Sequence, residues 1–128
     1  MLDFDDEKTY LMLLELCKDY SVDPSTSVET EDFFRDLLAQ YSGDSNPTRI
    51  AIWLERQITQ HFIAIGIRPR WIQNPEWPFA NGKPMIFAGQ IDLSVQNGEV
   101  VSQIFHDDTS LYVFIGQKVQ PKVIIQQY

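Results

Sequence analysis

Cysteine is almost absent from this chain, which has Cys17 alone among 128 residues. An intramolecular disulfide is therefore excluded, and Cys17 is expected to be a small buried apolar residue in a reducing compartment. Apolar runs are also short, since none approaches the roughly 18 residues of a membrane span. The N-terminus, MLDFDDEKTY, is acidic where a signal peptide is basic. We therefore expect a cytoplasmic protein that forms one domain and has no membrane contact.

Positive charge is scarce as well, and its distribution is uneven. The chain carries 10 Lys and Arg against 18 Asp and Glu, a net charge of −8. Residues 1–46 hold twelve acidic and three basic residues, or −9, whereas residues 47–128 hold six acidic and seven basic residues, or +1. An acidic segment repels phosphate backbones, so nucleic-acid binding is not expected. The segment either attracts a partner with a basic surface or serves solubility.

Motifs that define a reaction are missing. The sequence has no Ser or Cys nucleophile motif, no glycine-rich phosphate loop and no zinc-ligand spacing. No catalytic residue, metal site or cofactor is predicted on this basis, and a non-enzymatic protein is favoured.

Apolar residues recur at helical spacing through residues 1–66, which predicts three helices. The first is expected from about Glu7 to Tyr20. The second is expected to begin after Thr30 as its cap and to close at Gly43. The third is expected to begin at Asn46 and Pro47 and to end near Gly66, with Ile65 on its buried side.

A connector of residues 67–84 follows, which contains four of the seven prolines and two of the three tryptophans. Its prolines exclude a helix and a central strand, so an extended segment without its own hydrogen-bonded ladder is expected. Its aromatic side chains are expected to pack either on the core or on a partner.

From residue 85 onward the apolar period changes to two, which predicts an antiparallel meander over residues 85–128. In the first strand, alternate residues from Met85 to Leu93, including Gly89 and Ile91, are predicted to face the core. Asn97-Gly98 predicts a hairpin turn, and Val100 to Phe105 is predicted to return antiparallel. The turn His106 to Thr109, a strand from Ser110 to Ile115 and a final strand from Lys122 to Gln127 complete the meander. The predicted class is α+β, with three N-terminal helices packed on an antiparallel sheet of three to four strands.

One set of residues combines a Trp-Pro pair and a Gly-x-Pro element with two later strands: Trp77-Pro78, Gly82, Pro84, Phe87, the segment Gln90-Ile91-Asp92-Leu93 and the apolar-aromatic segment Leu111-Tyr112-Val113-Phe114. This pattern resembles the YwqG-like family of bacterial domains of unknown function over about 45 residues, mainly residues 76–115. The resemblance implies an α+β sheet protein and gives no established chemistry. Because some bacterial domains of this character accompany secreted toxins as immunity proteins, it adds weight to a binding role.

Candidate binding residues occur first in the connector. Arg68 and Arg70 hold an anion or carboxylate, cap the negative end of the third helix, or pair with the acidic segment. Trp71, Trp77 and Phe79 either form an aromatic ligand platform or cover the core.

Further candidates occur in the strands and their turns. Gln90 and Asp92 share a strand face and are expected to tie down the connector by hydrogen bonds. His106, Asp107 and Asp108 form the most enzyme-like cluster, although a local turn is the favoured explanation for them.

Two functions remain open at this point. The first is a non-catalytic interaction domain, such as an immunity or accessory protein, that binds a partner through its acidic helices or its connector. The second is a small-molecule-binding protein or hydrolase with a site between connector and sheet, formed by Arg70, Gln90, Asp92 and His106. Either a monomer or a homodimer paired through Val123-Ile124-Ile125 is compatible with the sequence.

Overall fold

The computed structural model describes residues 1–96, 99–102 and 109–127. Three helices come first and strands follow, which confirms the predicted α+β class. The elements are α1 (Glu7–Lys18), α2 (Val28–Ala39), α3 (Pro47–His61), β1 (Phe79–Ala80), β2 (Lys83–Pro84), β3 (Ile86–Gln96), β4 (Glu99–Ser102), β5 (Thr109–Ile115) and β6 (Lys122–Gln127). No helix in the described ranges is long and apolar enough to cross a bilayer.

The starts of two helices are as expected. Asp6 caps α1 by accepting the Thr9 N–H, and Asn46 caps α3 with Pro47 in the first turn. The predicted cap of α2 was wrong. Ser27, with extended backbone, accepts the Thr30 N–H, so that Thr30 lies within the first turn.

The predicted helix ends were also too late. α2 ends at Ala39, ahead of Gly43, and α3 ends at His61, ahead of Gly66. The chain leaves α3 because residues 63–65 join the sheet. Ile65 N–H donates to the Phe87 carbonyl at 2.8 Å, and Phe87 N–H donates to the Ile63 carbonyl at 2.9 Å. Ile65 is consequently exposed rather than buried.

The main sheet is antiparallel, with strand order β4-β3-β5-β6. Gln96 pairs with Glu99 across β3 and β4, but the predicted turn at Asn97-Gly98 lies outside the described residues. Residues 103–108, which include the end of the predicted second strand and His106, Asp107 and Asp108, also lie outside them.

A register shift between Phe87 and Gly89 reverses the predicted facing of the second half of β3. Phe87 pairs with the buried Phe114, as expected for an inward residue. Beyond the shift, Gln90 pairs with the buried Tyr112 and Asp92 with the buried Ser110, so these polar residues take the inner face. The prediction that Gly89, Ile91 and Leu93 face the core was therefore wrong, and Ile91 is exposed on the outer face.

The connector packs between the helices and the inner face of the sheet. The ring of Trp77 lies 5.4 Å from those of both Phe62 and Phe114, and its indole N–H donates to the Met85 carbonyl at 2.8 Å. Contrary to expectation, the connector has a short ladder of its own, because β1 and β2 pair across a turn in which Asn81 and Gly82 take positive φ. The Asn-Gly dipeptide at that turn is the sequence signal for it.

Candidate functional site

Three side chains on the inner face of the sheet hold the main chain of the connector. We call these residues, Gln90, Tyr112 and Gln126, the connector clamp. They come from the adjacent strands β3, β5 and β6. Because residues 70–74 of the connector have no neighbouring strand, unlike β1 and β2, their backbone groups need partners from side chains.

The first half of the clamp holds Arg70 and Ile72. The Gln90 amide oxygen accepts the Arg70 N–H at 2.8 Å, and the Gln90 amide nitrogen donates to the Arg70 carbonyl at 3.2 Å. The Tyr112 hydroxyl accepts the Ile72 N–H at 2.9 Å and donates to the Arg70 carbonyl at 3.0 Å. The predicted role of Gln90 in tying down the connector is thus observed.

The second half is Gln126, whose side chain is buried although it belongs to an edge strand. Its amide oxygen accepts the Gln73 N–H at 2.8 Å. Its amide nitrogen donates to the Asn74 carbonyl at 2.8 Å and to the Glu76 carboxylate at 2.9 Å. The Gln126 side-chain amide therefore replaces the peptide group of a neighbouring strand, because both its donor and its acceptor bond to the main chain of the connector.

Asp92 lies beside the clamp and is also occupied. Its carboxylate accepts hydrogen bonds from Ser110 at 2.6 Å and Gln90 at 2.8 Å, and lies 3.4 Å from the guanidinium of Arg70. Burial opposes the ionisation of Asp92, but the hydrogen bonds from Ser110 and Gln90 and the charge of Arg70 outweigh burial and lower its pKa. Asp92 is therefore held as a carboxylate, and the hydroxyl of the buried Ser110 donates its hydrogen bond to that carboxylate.

Arg68 is engaged within the fold. Its guanidinium donates to the Tyr20 carbonyl at 3.0 Å and lies over the rings of Tyr20 and Trp77. Burial lowers its pKa. Arg68 therefore binds the loop that follows α1 and does not cap α3, which was one of its predicted roles. Arg70 pairs with a carboxylate, that of Asp92, which lies outside the acidic segment.

Of the two roles predicted for Trp71, Trp77 and Phe79, the structure shows that they cover the core. Trp77 is buried, and Trp71 lies 4.5 Å from the ring of Tyr112 while its indole N–H donates to the Ser21 carbonyl at 2.8 Å. Phe79 packs against Phe33 and Phe62. These residues join the helices to the sheet instead of forming an exposed ligand surface.

The structure thus brings Arg70, Trp71, Gln90 and Asp92 together, with Arg68 and Trp77 bound to neighbouring parts of the same layer. His106 and Asp108 lie outside the described residues. Sequence analysis missed Ser110, Tyr112 and Gln126. These three residues could have been found from the sequence, because each places a polar group at a strand position that faces inward, where an apolar side chain is expected.

A shallow cavity of about 340 Å³ lies next to the connector, against the loop between α1 and α2. Its walls are formed by Asp23, Ser25, Thr26, Gln73, Asn74, Pro75 and Glu76. Within the described part of the chain, no three His, Cys, Asp or Glu side chains are grouped so as to hold a metal ion.

Comparison with protein-family models, with curated proteins and with solved structures found no match to this chain. The resemblance to the YwqG-like family therefore stays a prediction. Among the residues that carry it, Gly82 forms a turn, Phe87 fills the core and Gln90 holds the connector, so these three have structural roles here.

Proposed function

We propose that this protein is a non-catalytic interaction domain that binds a basic partner protein through an acidic helical surface. We define this surface as the exposed carboxylates of residues 1–46, which account for ten of the twelve acidic residues in that segment. Three of the ten, Asp5, Glu15 and Asp44, form ion pairs with Arg35, Lys18 and Arg49. Within the described residues the other seven have no ion pair.

The observation that carries the proposal is the position of Asp19, Asp32 and Asp36. Several other acids stabilise a helix start, as Asp6 does by capping α1 and Glu29 does in the first turn of α2. Asp19, in contrast, lies at the C-terminal end of α1, where negative charge is unfavourable. Asp32 and Asp36 are four residues apart on α2, a like-charge spacing that costs a few tenths of a kcal/mol.

Three exposed acids thus occupy positions that weaken the helices containing them. Solubility alone requires net charge but not these positions, whereas binding a basic surface benefits from unpaired carboxylates. The proposal includes a cytoplasmic location, supported by the lone cysteine. It also includes a role as an immunity or accessory protein, supported by the family resemblance.

The alternative, a small-molecule site or hydrolase between connector and sheet, has less support. Gln90 and Asp92 would provide its polar groups, but both are already hydrogen bonded to the connector or the sheet. The space between connector and sheet is filled by the rings of Trp71 and Trp77.

The test begins with affinity purification of the partner, followed by measurement of association and dissociation rates. The variant Asp19→Asn, Asp32→Asn, Asp36→Asn removes three charges and no ion pair, and it leaves the C-cap of α1 in place because Asp19 makes that contact through its backbone N–H. We expect association to slow about tenfold and to become less dependent on salt, with dissociation little changed. The matched control replaces the same three residues by Glu and should associate as the parent does.

Binding that ignores both salt and the three Asp→Asn substitutions would contradict the proposal. The variant should fold as the parent does, since removal of these charges should leave the free energy of unfolding unchanged or slightly increased. A change in association rate is therefore not expected to reflect unfolding.

A further inference from the structure

On its outer face, opposite the helices, the main sheet has two adjacent rows of aliphatic side chains on β3, β5 and β6, and the next row contains the polar residues Thr109 and Gln127. Register pairs place their side chains on the same face, so the rows of this face can be read directly. One row is Gly89, Val113 and Val123, and the next is Ile91, Leu111 and Ile125. We call these two rows, with Ile63 and Ile65, the aliphatic face.

Ile63 and Ile65 belong to this face because Ala64 pairs in parallel with Phe87. Phe87 points inward, and so does Ala64, which packs against the core. The residues on either side of Ala64 therefore point outward, beside the N-terminal half of β3.

This face is open to solvent. Five of its side chains are between 43 and 60% exposed: Ile63, Ile65, Ile91, Val123 and Ile125. The outer face of an antiparallel sheet ordinarily alternates to polar residues, yet none of the residues that define this face is charged. An exposed apolar patch of this kind marks an interaction surface.

We propose that the aliphatic face binds the same face of a second copy of this chain, forming a homodimer by sheet-on-sheet packing. This inference is independent of the acidic helical surface, which lies on other elements. Flat aliphatic faces are complementary to each other, and sheets pack in this way about 10 Å apart. The defined face presents no charged side chain, so it offers no charge that would be complementary to a different protein.

The distribution of charge favours this arrangement. Helices α1 and α2 belong to the segment 1–46, which carries −9, and pack on the inner face through the common core, so a face-to-face pair holds its two acidic segments on opposite sides. Two sheets and the helices behind them separate those segments by roughly 30 Å, well beyond the Debye length of about 8 Å at physiological salt. Repulsion between the copies is therefore screened.

The shape of the face also suits a second copy. The space above Gly89 is empty, since no heavy atom of its surroundings lies within 4 Å of the position that a Cβ would take. This recess between exposed isoleucines can accept a projecting side chain from the other copy. Three strands and the segment 63–65 span roughly 20 by 20 Å, so a pair buries on the order of 800 Å² or more. Stable complexes bury about 1,200 Å² or more, so this interface is small. We therefore expect a weak dimer, with a dissociation constant on the order of micromolar.

The test is sedimentation velocity of the full chain between about 1 and 500 µM. The wild-type protein should change from a 14.9 kDa monomer to a dimer across this range. Ile125→Lys and Ile91→Lys, each on the aliphatic face, should weaken dimerisation at least tenfold. Ile52→Lys is the matched control, because Ile52 is 54% exposed on α3 and lies outside the face, and it should dimerise as the wild type does.

Two variants on different strands make the outcome decisive. Ile91 lies on β3, two strands away from the open edge at β6, so pairing of β6 edges would survive Ile91→Lys. Loss of the dimer in both face variants, with cooperative melting retained, supports the proposal. A protein that stays monomeric at 500 µM, a dimer that survives Ile91→Lys, or a dimer lost equally in Ile52→Lys would overturn it.

Discussion

Gln126 offers the sharpest test of how the connector is held. Replacing it by leucine keeps most of the side-chain volume but leaves the Gln73 N–H and the Asn74 carbonyl without their partner. Gln126 is only 1% exposed, so leucine places apolar atoms against these two groups, whose hydrogen bonds are part-buried. A fully buried group without a partner costs about 1–3 kcal/mol, so two part-buried groups fall at the lower end of that range each, whereas the exposed Glu76 can turn to water. We therefore expect Gln126→Leu to lower the free energy of unfolding by about 1–3 kcal/mol.

The assay is urea unfolding followed by tryptophan fluorescence, since two of the three tryptophans lie in the connector. The matched control is Gln127→Leu, one position along the same strand and exposed. The main-chain carbonyl of Gln127, not its side chain, accepts the Gln73 amide, so this contact survives the substitution. The control should change the free energy of unfolding by less than about 0.5 kcal/mol. Equal losses in the two variants would refute the assignment of the clamp.

Three further outcomes follow from other parts of the fold. Native Cys17 should resist a thiol reagent at pH 8 and react once the chain is unfolded in urea. The reason is that burial, with a smaller effect of Asp23, raises the pKa of its thiol well above its ordinary value. Prompt reaction of the native protein would contradict the burial of Cys17. The folded-state pKa of Asp92 lies below its unfolded value of about 3.9, so its ionised form adds stability above that pH and loses it as the pH falls through the folded pKa. The difference in unfolding free energy between wild type and Asp92→Asn should therefore shrink on acidification from about pH 5 to pH 2, and a constant difference measured by urea titration would show that Asp92 gains nothing from folding. Asn46→Ala should lower the free energy of unfolding by about 1 kcal/mol in thermal or urea unfolding, because the Asn46 side chain accepts hydrogen bonds from the N–H groups of Thr48 and Arg49. Ser45→Ala is the control and should leave this free energy unchanged. Similar losses in both variants would argue against the cap.

Sequence reasoning was most successful where one local rule decided the outcome. Asn46 before Pro47 defines a helix start by side-chain capping and a fixed φ, and the structure begins α3 there. The change of apolar period from helical to alternating likewise separated the helices from the strands. These signals depend on neighbours in the chain, which the sequence displays directly.

It failed where the decisive partner is distant in the chain. α3 ends early because residues 63–65 pair with Phe87, and no local signal near Gly66 shows that pairing. The register shift after Phe87 reverses which residues of β3 face the core. A prediction that assumes inward and outward residues alternate strictly along the strand cannot foresee this shift.

The candidate site was predictable only in part. Two polar residues with a spacing of two, Gln90 and Asp92, indicated contact with the connector, because orphan backbone groups need partners. Gln126 was not identified, since its role depends on the pairing of β6 with β5 and on the position of Gln73 across the sheet. The aliphatic face was hidden for a similar reason, because the facing of Ile91 follows from the register shift.

The central claim is that the connector is a fixed structural layer, which leaves the outer surfaces of the protein for binding. Amide hydrogen exchange measured by NMR tests it most directly at Arg70, Ile72 and Gln73, whose N–H groups bond to side chains of the sheet. These three amides should exchange at least about a hundredfold more slowly than in an unstructured peptide, although none lies in a helix or strand. The Gln126→Leu variant should lose protection first at Gln73. Exchange of all three amides at peptide rates in the wild-type protein would contradict the account.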